Sequence, residues 1–374
     1  MQLSKILGVR IVAASACLLA LAVIPAEAQI TEIIDSAGIG GLHHGLAHPT
    51  AVAADNDGNV YVVGTISDNV FKIAPNGDIF EIINGLDVTW FDGPKGLAVD
   101  DSLNVFVSCF DTSRVFKITA DGMVSIIIDI NGDGMGNELW GASGVATDAA
   151  GNVFVTGMSS NNAFRVTPDG VITELIDETG DGIGNPLDRP EHITVGSSGN
   201  VFVTGSLSNN AFKITPTGQI TEIIDGSGDG NGNLLYHPNG GIAVDSFGNV
   251  FVAGTYSANA FKITPDGSIT EIVDETGDGT GNTIQQIWSL ALDLQGYVYV
   301  TGHITHNAFR IAPDGGIVQF IDATGDGMGA ALNRSRGVAV DINGNAFVTG
   351  YYSHNAFLIP ADLTPVDLLR LSID

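Results

Sequence analysis

Glu191 and His192 stand side by side, and His237 and His303 follow further along the chain. A carboxylate with imidazoles is the material of acid–base catalysis or of a transition-metal site, so these four are candidate catalytic residues. Around them, His48, Lys95, Trp288, Arg336, Tyr352 and His354 offer cations, an indole and phenol and imidazole groups, and form a candidate ligand-binding set. All ten occupy places where otherwise similar segments of the chain differ, and such places are free to carry function. The plain alternative is that they are solvated loop residues. The histidine spacing fits no zinc signature, and no nucleophile elbow is present. Cys109 would be a nucleophile only beside a base that lowers its pKa; no such partner is visible in the sequence, and a small buried residue is the better reading.

A second candidate chemistry lies in five acidic loops, residues 129–137, 177–185, 225–233, 274–282 and 322–330. Asp129, Asn131 and Asp133 in the first, Asp177 and Asp181, Asp225 and Asp229, Asp274 and Asp278, and Asp322 and Asp326 in the others stand at positions 1, 3 or 5, with glycine at position 6. Oxygen side chains in that spacing open a calcium loop, and calcium, or another divalent metal, is the expected cofactor; no organic cofactor is expected. Position 12, where a bidentate Glu belongs, holds Trp140, Asp188, Tyr236, Gln285 and Asn333 instead. The alternative is that Asp, Asn and Gly simply build a long turn, since they tolerate positive φ and bond their own backbone.

What must position these residues is a repeat. Related segments begin at Gly58, Leu103, Gly151, Gly199, Gly248, Gly296 and Gly344, with spacings of 45, 48, 48, 49, 48 and 48. Each unit reads as four short strands, a to d. In one unit they fall at residues 241–245, 250–253, 260–264 and 268–274, with period-2 alternation broken by Asn-Gly, Asp-Gly and Pro turns. Four-stranded units of this length predict an all-β, seven-bladed β-propeller of antiparallel blades over residues 29–360. The last unit supplies only three strands, while residues 30–35, Ile-Thr-Glu-Ile-Ile-Asp, are identical to residues 220–225. The N-terminal strand is therefore expected to complete the last blade, leaving residues 361–374 as a surplus tail.

The units Gly-Asn-Val-Phe-Val-x-Gly and Phe-Lys-Ile-Thr-Pro-Asp-Gly-x-Ile-Thr-Glu resemble NHL-type repeats, and the second half is similar to the repeat of streptogramin (virginiamycin B) lyases. That resemblance implies a seven-bladed propeller, and implies His and Glu acting with a divalent metal on the face bearing the b–c and d–a loops. These loops vary between units while the a–b and c–d turns are monotonous, so the variable face is where a small-molecule or protein ligand is expected.

Residues 1–28 read as a secretory signal peptide: Lys5 and Arg10, an apolar stretch over residues 11–24, then Pro25 and Ala26-Glu27-Ala28. Export to the periplasm or cell exterior without a transmembrane anchor follows. The formal charge of −28, from 42 acids against 14 Lys and Arg, excludes nucleic acid as a partner. The leading expectation is an exported, monomeric binding module, calcium-stabilised through its acidic loops. The alternative is a metal-dependent lyase or lactone hydrolase, in which Glu191, His192, His237 and His303 would converge at the channel mouth. A third reading, a structural repeat with no small ligand, requires that the histidine sector not be concave.

Overall fold

A computed structural model describes residues 29–37 and 45–363. The expected leader, His43 and His44, and the tail from residue 364 onward lie outside the described residues. Within them there are seven sheets of four antiparallel strands each, and no helix is long and apolar enough to cross a membrane.

The strand sequence explains the ring. Every second strand, such as Val153–Gly157 in the third blade, is buried end to end, because both of its faces meet a neighbouring blade. Every third strand, such as Asn162–Val166, buries its Phe completely, and the outer strand, Ile172–Ile176 here, is fully buried only at its last residue. The core is accordingly divided into seams. One gathers Phe106, Val115 and Ile128 of the second blade with Leu139, Val155 and Phe164 of the third. Another joins Ile34, Phe347 and Ala356 at the chain's two ends to Val62 and Phe71 of the first blade.

The closure expected from the sequence is present. Strand Thr31–Ile34 pairs with Asn355–Ile359, placing Thr31 opposite Leu358 and Glu32 opposite Phe357. The outermost strand of the last blade thus comes from the start of the chain. Glu32 Oε1 also accepts a hydrogen bond of 2.7 Å from Asn355 Nδ2. The same Asn-to-Glu bond ties the third strand to the outer strand elsewhere, as in Asn162–Glu174 at 2.9 Å and Asn210–Glu222 at 2.8 Å. In the second blade Arg114 and Ile126 replace this pair. That substitution explains Cys109. Elsewhere its position is glycine because a Cβ would stand 2.2 Å from Ser160 Oγ and 2.4 Å from Asn162 Oδ1, as at Gly157.

Inner strands line the channel: Pro49–Ala54, Pro94–Val99, Ala142–Thr147, Pro190–Val195, Ile242–Val244, Ile287–Leu292 and Ser335–Val340. All but the fifth carry a register shift near their start. In the fourth blade Pro190 pairs with Gly205 but Ile193 pairs with Val203, so Glu191 and His192 together face one partner residue. Such a bulge re-aims side chains away from the pleat.

Candidate functional site

The bulges place the channel-mouth residues. Lys95 lies in the shift between Pro94 and Gly96, Trp288 in that between Ile287 and Leu290, and Arg336 in that between Ser335 and Val338. With Glu191, His192 and Asn239 they surround a cavity of about 170 Å³ at the end of the channel where the inner strands begin. Larger grooves of about 500 and 710 Å³ run between neighbouring blades at the opposite turns, lined by residues that recur from unit to unit. Of the ten candidate residues, Lys95, Glu191, His192, Trp288 and Arg336 line the smaller cavity, and His48, His237, His303, Tyr352 and His354 do not.

Glu191, only 3% exposed, is the electrostatic centre of one sector. Lys95 Nζ lies 3.0 Å from its Oε2 and Arg189 Nε 3.0 Å from its Oε1, and Ser206 Oγ donates at 3.3 Å. Burial alone would push the Glu191 pKa up; Lys95 above all, with His192 and Arg189, outweighs it and holds the carboxyl below its usual range. Burial pulls Lys95 below the usual lysine range against the pull of Glu191. His192 is hydrogen-bonded to Asn239 and lowered by burial, as is His237, whose ring lies 4.6 Å from that of Tyr256.

His303 belongs to a different sector. It contacts Trp288 at 5.2 Å and Tyr351 at 6.2 Å between ring centroids, and its Nδ1–H donates to the Ser335 carbonyl at 3.2 Å. Desolvation lowers its pKa to about 4, with the Ser335 hydrogen bond opposing and Arg336 adding to the shift. The Arg336 guanidinium lies 4.3 Å from the Trp288 ring centroid and 4.6 Å from that of Tyr351. His48 packs against Tyr351 at 4.4 Å, Tyr352 at 5.5 Å and His354 at 4.7 Å. The four candidate catalytic residues therefore divide, Glu191, His192 and His237 on one side and His303 on the other.

His354 has a recurring mechanical role. Its Nδ1 accepts the His48 amide at 3.0 Å, and His306 Nδ1 accepts the Arg334 amide at 2.8 Å. Asn161 Oδ1 does the same for Arg189 at 2.8 Å, and Asp68 Oδ1 for Gly93 at 2.9 Å. Each bond joins two residues at positive φ, one in a b–c loop and one just before the next inner strand; His354 has φ 57° and His48 φ 53°. These imidazoles are interblade clips. Arg189 was missed by sequence reasoning; the available signal was that it is a cation outside the recurring third-strand position. Tyr351 was missed too, since an aromatic residue in a turn gives no sign of what it will cover.

The acidic loops satisfy themselves. Asp181 Oδ1 accepts from the Ile183 amide at 3.1 Å and Oδ2 from Asn185 Nδ2 at 2.7 Å, while Asp177 Oδ1 accepts the Thr179 amide at 2.9 Å. Asp129, Asp133, Asp225, Asp229, Asp274, Asp278, Asp322 and Asp326 likewise accept amides of their own loops. Asn131 turns its Nδ2 to Asp129. The Met135 and Asn231 amides hold Asp133 and Asp229 below the usual carboxylate range. The crowded glycine is the one at position 4. At Gly180, φ is 64° and a Cβ would lie 1.9 Å from the Asn185 carbonyl oxygen. Among the described residues no three His, Cys, Asp or Glu side chains gather as metal ligands. These amide bonds are those of the long turn, and the first aspartate of each loop accepts its amide through Oδ1. Glu191 does not fit a divalent metal, since both its oxygens are capped by cations. Cys109 is buried and free, and burial pushes its thiol pKa up, as expected for an inert core residue.

No family model matches the sequence, and no curated protein does. Solved structures do. A streptogramin B lyase is similar with a TM-score of 0.68 and 16% identity, covering 88% of this chain and 96% of that one. Virginiamycin B lyase from Staphylococcus aureus gives a TM-score of 0.68 and 16% identity over 89% of this chain and 99% of that one. Hydrazine synthase from Kuenenia stuttgartiensis follows at 0.64 and 13%, covering 87% of this chain and 99% of that one. At such identities the likeness is one of fold, and the lyase-like propeller architecture read from the repeats is borne out.

Proposed function

We propose that the protein is an exported propeller that binds a small ligand in the channel-mouth cavity, on the face formed by the b–c and d–a loops. The observation that carries this reading is the engagement of Glu191 by both Lys95 and Arg189. A carboxylate held ionised by two cations neither donates a proton nor has a lone pair readily available to take one. The imidazoles His192, His237 and His303 all have pKa values lowered by burial, and none faces a carboxylate as a hydrogen-bond partner among the described residues. A cavity with fixed charges and aromatic walls is suited to holding a molecule unchanged. The lyase or lactone hydrolase alternative rests on the likeness to streptogramin lyases and would draw its general base from the imidazoles of His192, His237 or His303, which burial keeps neutral near pH 7.

The two readings separate on what is recovered. Equilibrium dialysis of the purified protein against a mixture of small metabolites, followed by mass spectrometry, should return a retained compound chemically unchanged and at one per chain. Catalytic conversion of a compound, abolished by Glu191→Gln, would replace the binding reading with the enzyme. Failure of every compound to be retained in excess of a Trp288→Ala variant would remove the cavity from function.

A further inference from the structure

The distribution of positive charge says what kind of molecule the cavity takes. Lys72, Lys117, Arg165, Lys213, Lys262 and Arg310 occupy one recurring position on the third strand of the first six blades. Four of them are seen against a second-strand or turn aromatic, as Lys262 is at 5.9 Å from the Phe251 centroid. Arg114 lies over Trp90 at 4.8 Å. Every other Lys or Arg among the described residues, namely Lys95, Arg189, Arg334 and Arg336, is at or beside the channel mouth. A protein of formal charge −28 thus places its non-repeating described cations, Arg114 apart, around one opening.

Glu191 balances only part of that charge, through Lys95 and Arg189. Among the described residues Arg336 has no ion-pair partner. Trp288 and Tyr351 hold it flat, and the Tyr351 hydroxyl takes part of its donor fork, leaving the rest for a planar acceptor. The Trp288 Nε1–H, buried in the same wall, has no hydrogen-bond partner among the described residues. The cavity therefore has donors in excess of acceptors. Its remaining walls are mixed: Thr50, Ser143, Asn239 and Ser289 are polar, while Val52, Leu97, Val145 and Ile193 supply hydrocarbon. Its 170 Å³ is about the liquid volume of six waters, which limits the guest to a few heavy atoms.

Building on the binding reading, we propose that the ligand is a small organic carboxylate, its carboxyl group held by Arg336 with Lys95 and the Trp288 N–H, and its hydrocarbon end against the aliphatic inner strands. Guanidinium and carboxylate match as planar forks. The aliphatic part of the wall, Val52, Leu97, Val145 and Ile193, favours a carbon-bearing acid over inorganic phosphate. The acidic exterior repels polyanions and large anions, whereas a molecule small enough to enter meets the local positive field.

The test uses the full chain with Trp90→Phe and Trp140→Phe, which leaves Trp288 as the sole indole, and four probes: propionate, propionamide, propylammonium and inorganic phosphate. Propionate should quench Trp288 fluorescence saturably and compete with whatever compound the dialysis retains. Arg336→Gln should weaken propionate about tenfold or more, as expected for loss of a hydrogen-bonded charge, and Arg336→Lys should weaken it less. Circular dichroism checks each variant's fold, and Lys95→Met replaces Arg336→Gln if the latter unfolds. Binding of propionamide or propylammonium at least as tight as propionate overturns the carboxylate while leaving the binding reading standing. Phosphate binding as tightly as propionate makes the site one for inorganic oxyanions and also overturns it. Silence from all four probes overturns it too, and the metabolite dialysis then decides the binding reading separately.

Discussion

At the scale of single residues, charge and desolvation divide the mouth into two sectors with different pH behaviour. His303 is 8% exposed and titrates near 4 in the folded protein against an ordinary 6.5. The unfolded chain then binds a proton between these values that the native one refuses. Its contribution to stability is fully present above pH 6.5 and is lost as pH falls toward 4. The size is on the order of 3 kcal/mol, since each tenfold loss of proton affinity corresponds to about 1.4 kcal/mol. Replacing His303 by Asn should flatten the acid limb of a denaturation profile over that window, and an unchanged slope would contradict the buried neutral imidazole. Which residues differ from the repeat was readable from the sequence. Which of them meet was not, because Lys95 and Glu191 are 96 positions apart and come within reach only through the curvature of the ring.

At the scale of elements, the turn chemistry of the repeat was legible in type but not in purpose. The Asp and Gly spacing of the d–a loops suits either a cation or a turn, and the amides of each loop display the turn. With each carboxylate already accepting from its own loop, addition of a chelator should leave the melting temperature unchanged; a rise on adding calcium would restore the cation. Gly180→Ala should be destabilising by about 1–2 kcal/mol from left-handed strain alone, and by more from the approach of the Asn185 carbonyl, as read by urea denaturation. Strand boundaries were legible almost to the residue: strands expected at 250–253 and 260–264 are Val250–Gly254 and Asn259–Ile263. Inner-strand bulges were invisible. An insertion of one residue leaves no mark when six of the seven units carry it, and the spacings of 45 and 49 do not point to it. The bulges aim the functional side chains, so the site was less legible than the fold.

At the scale of the whole molecule, a ring held by seams between blades has no single centre of stability, and the seam between last blade and first is the one whose partners are most distant in sequence. Strand Thr31–Ile34 lies more than 320 positions from the strand it completes, as the Glu32–Asn355 bond of separation 323 shows. Non-local pairing of this kind slows folding, because loop closure must precede the contact that rewards it. Among the described residues, the first strand to be synthesised is consequently the last to find its place. Until then the edge at Asn355–Ile359 stays unpaired and the ring cannot lock. Moving residues 29–36 to follow Pro360 should turn this closure into a local hairpin and speed refolding after denaturant dilution, with the final stability little changed. In the natural order the blades assemble as an unlatched coil of sheets, and the chain's own beginning keeps time for its completion.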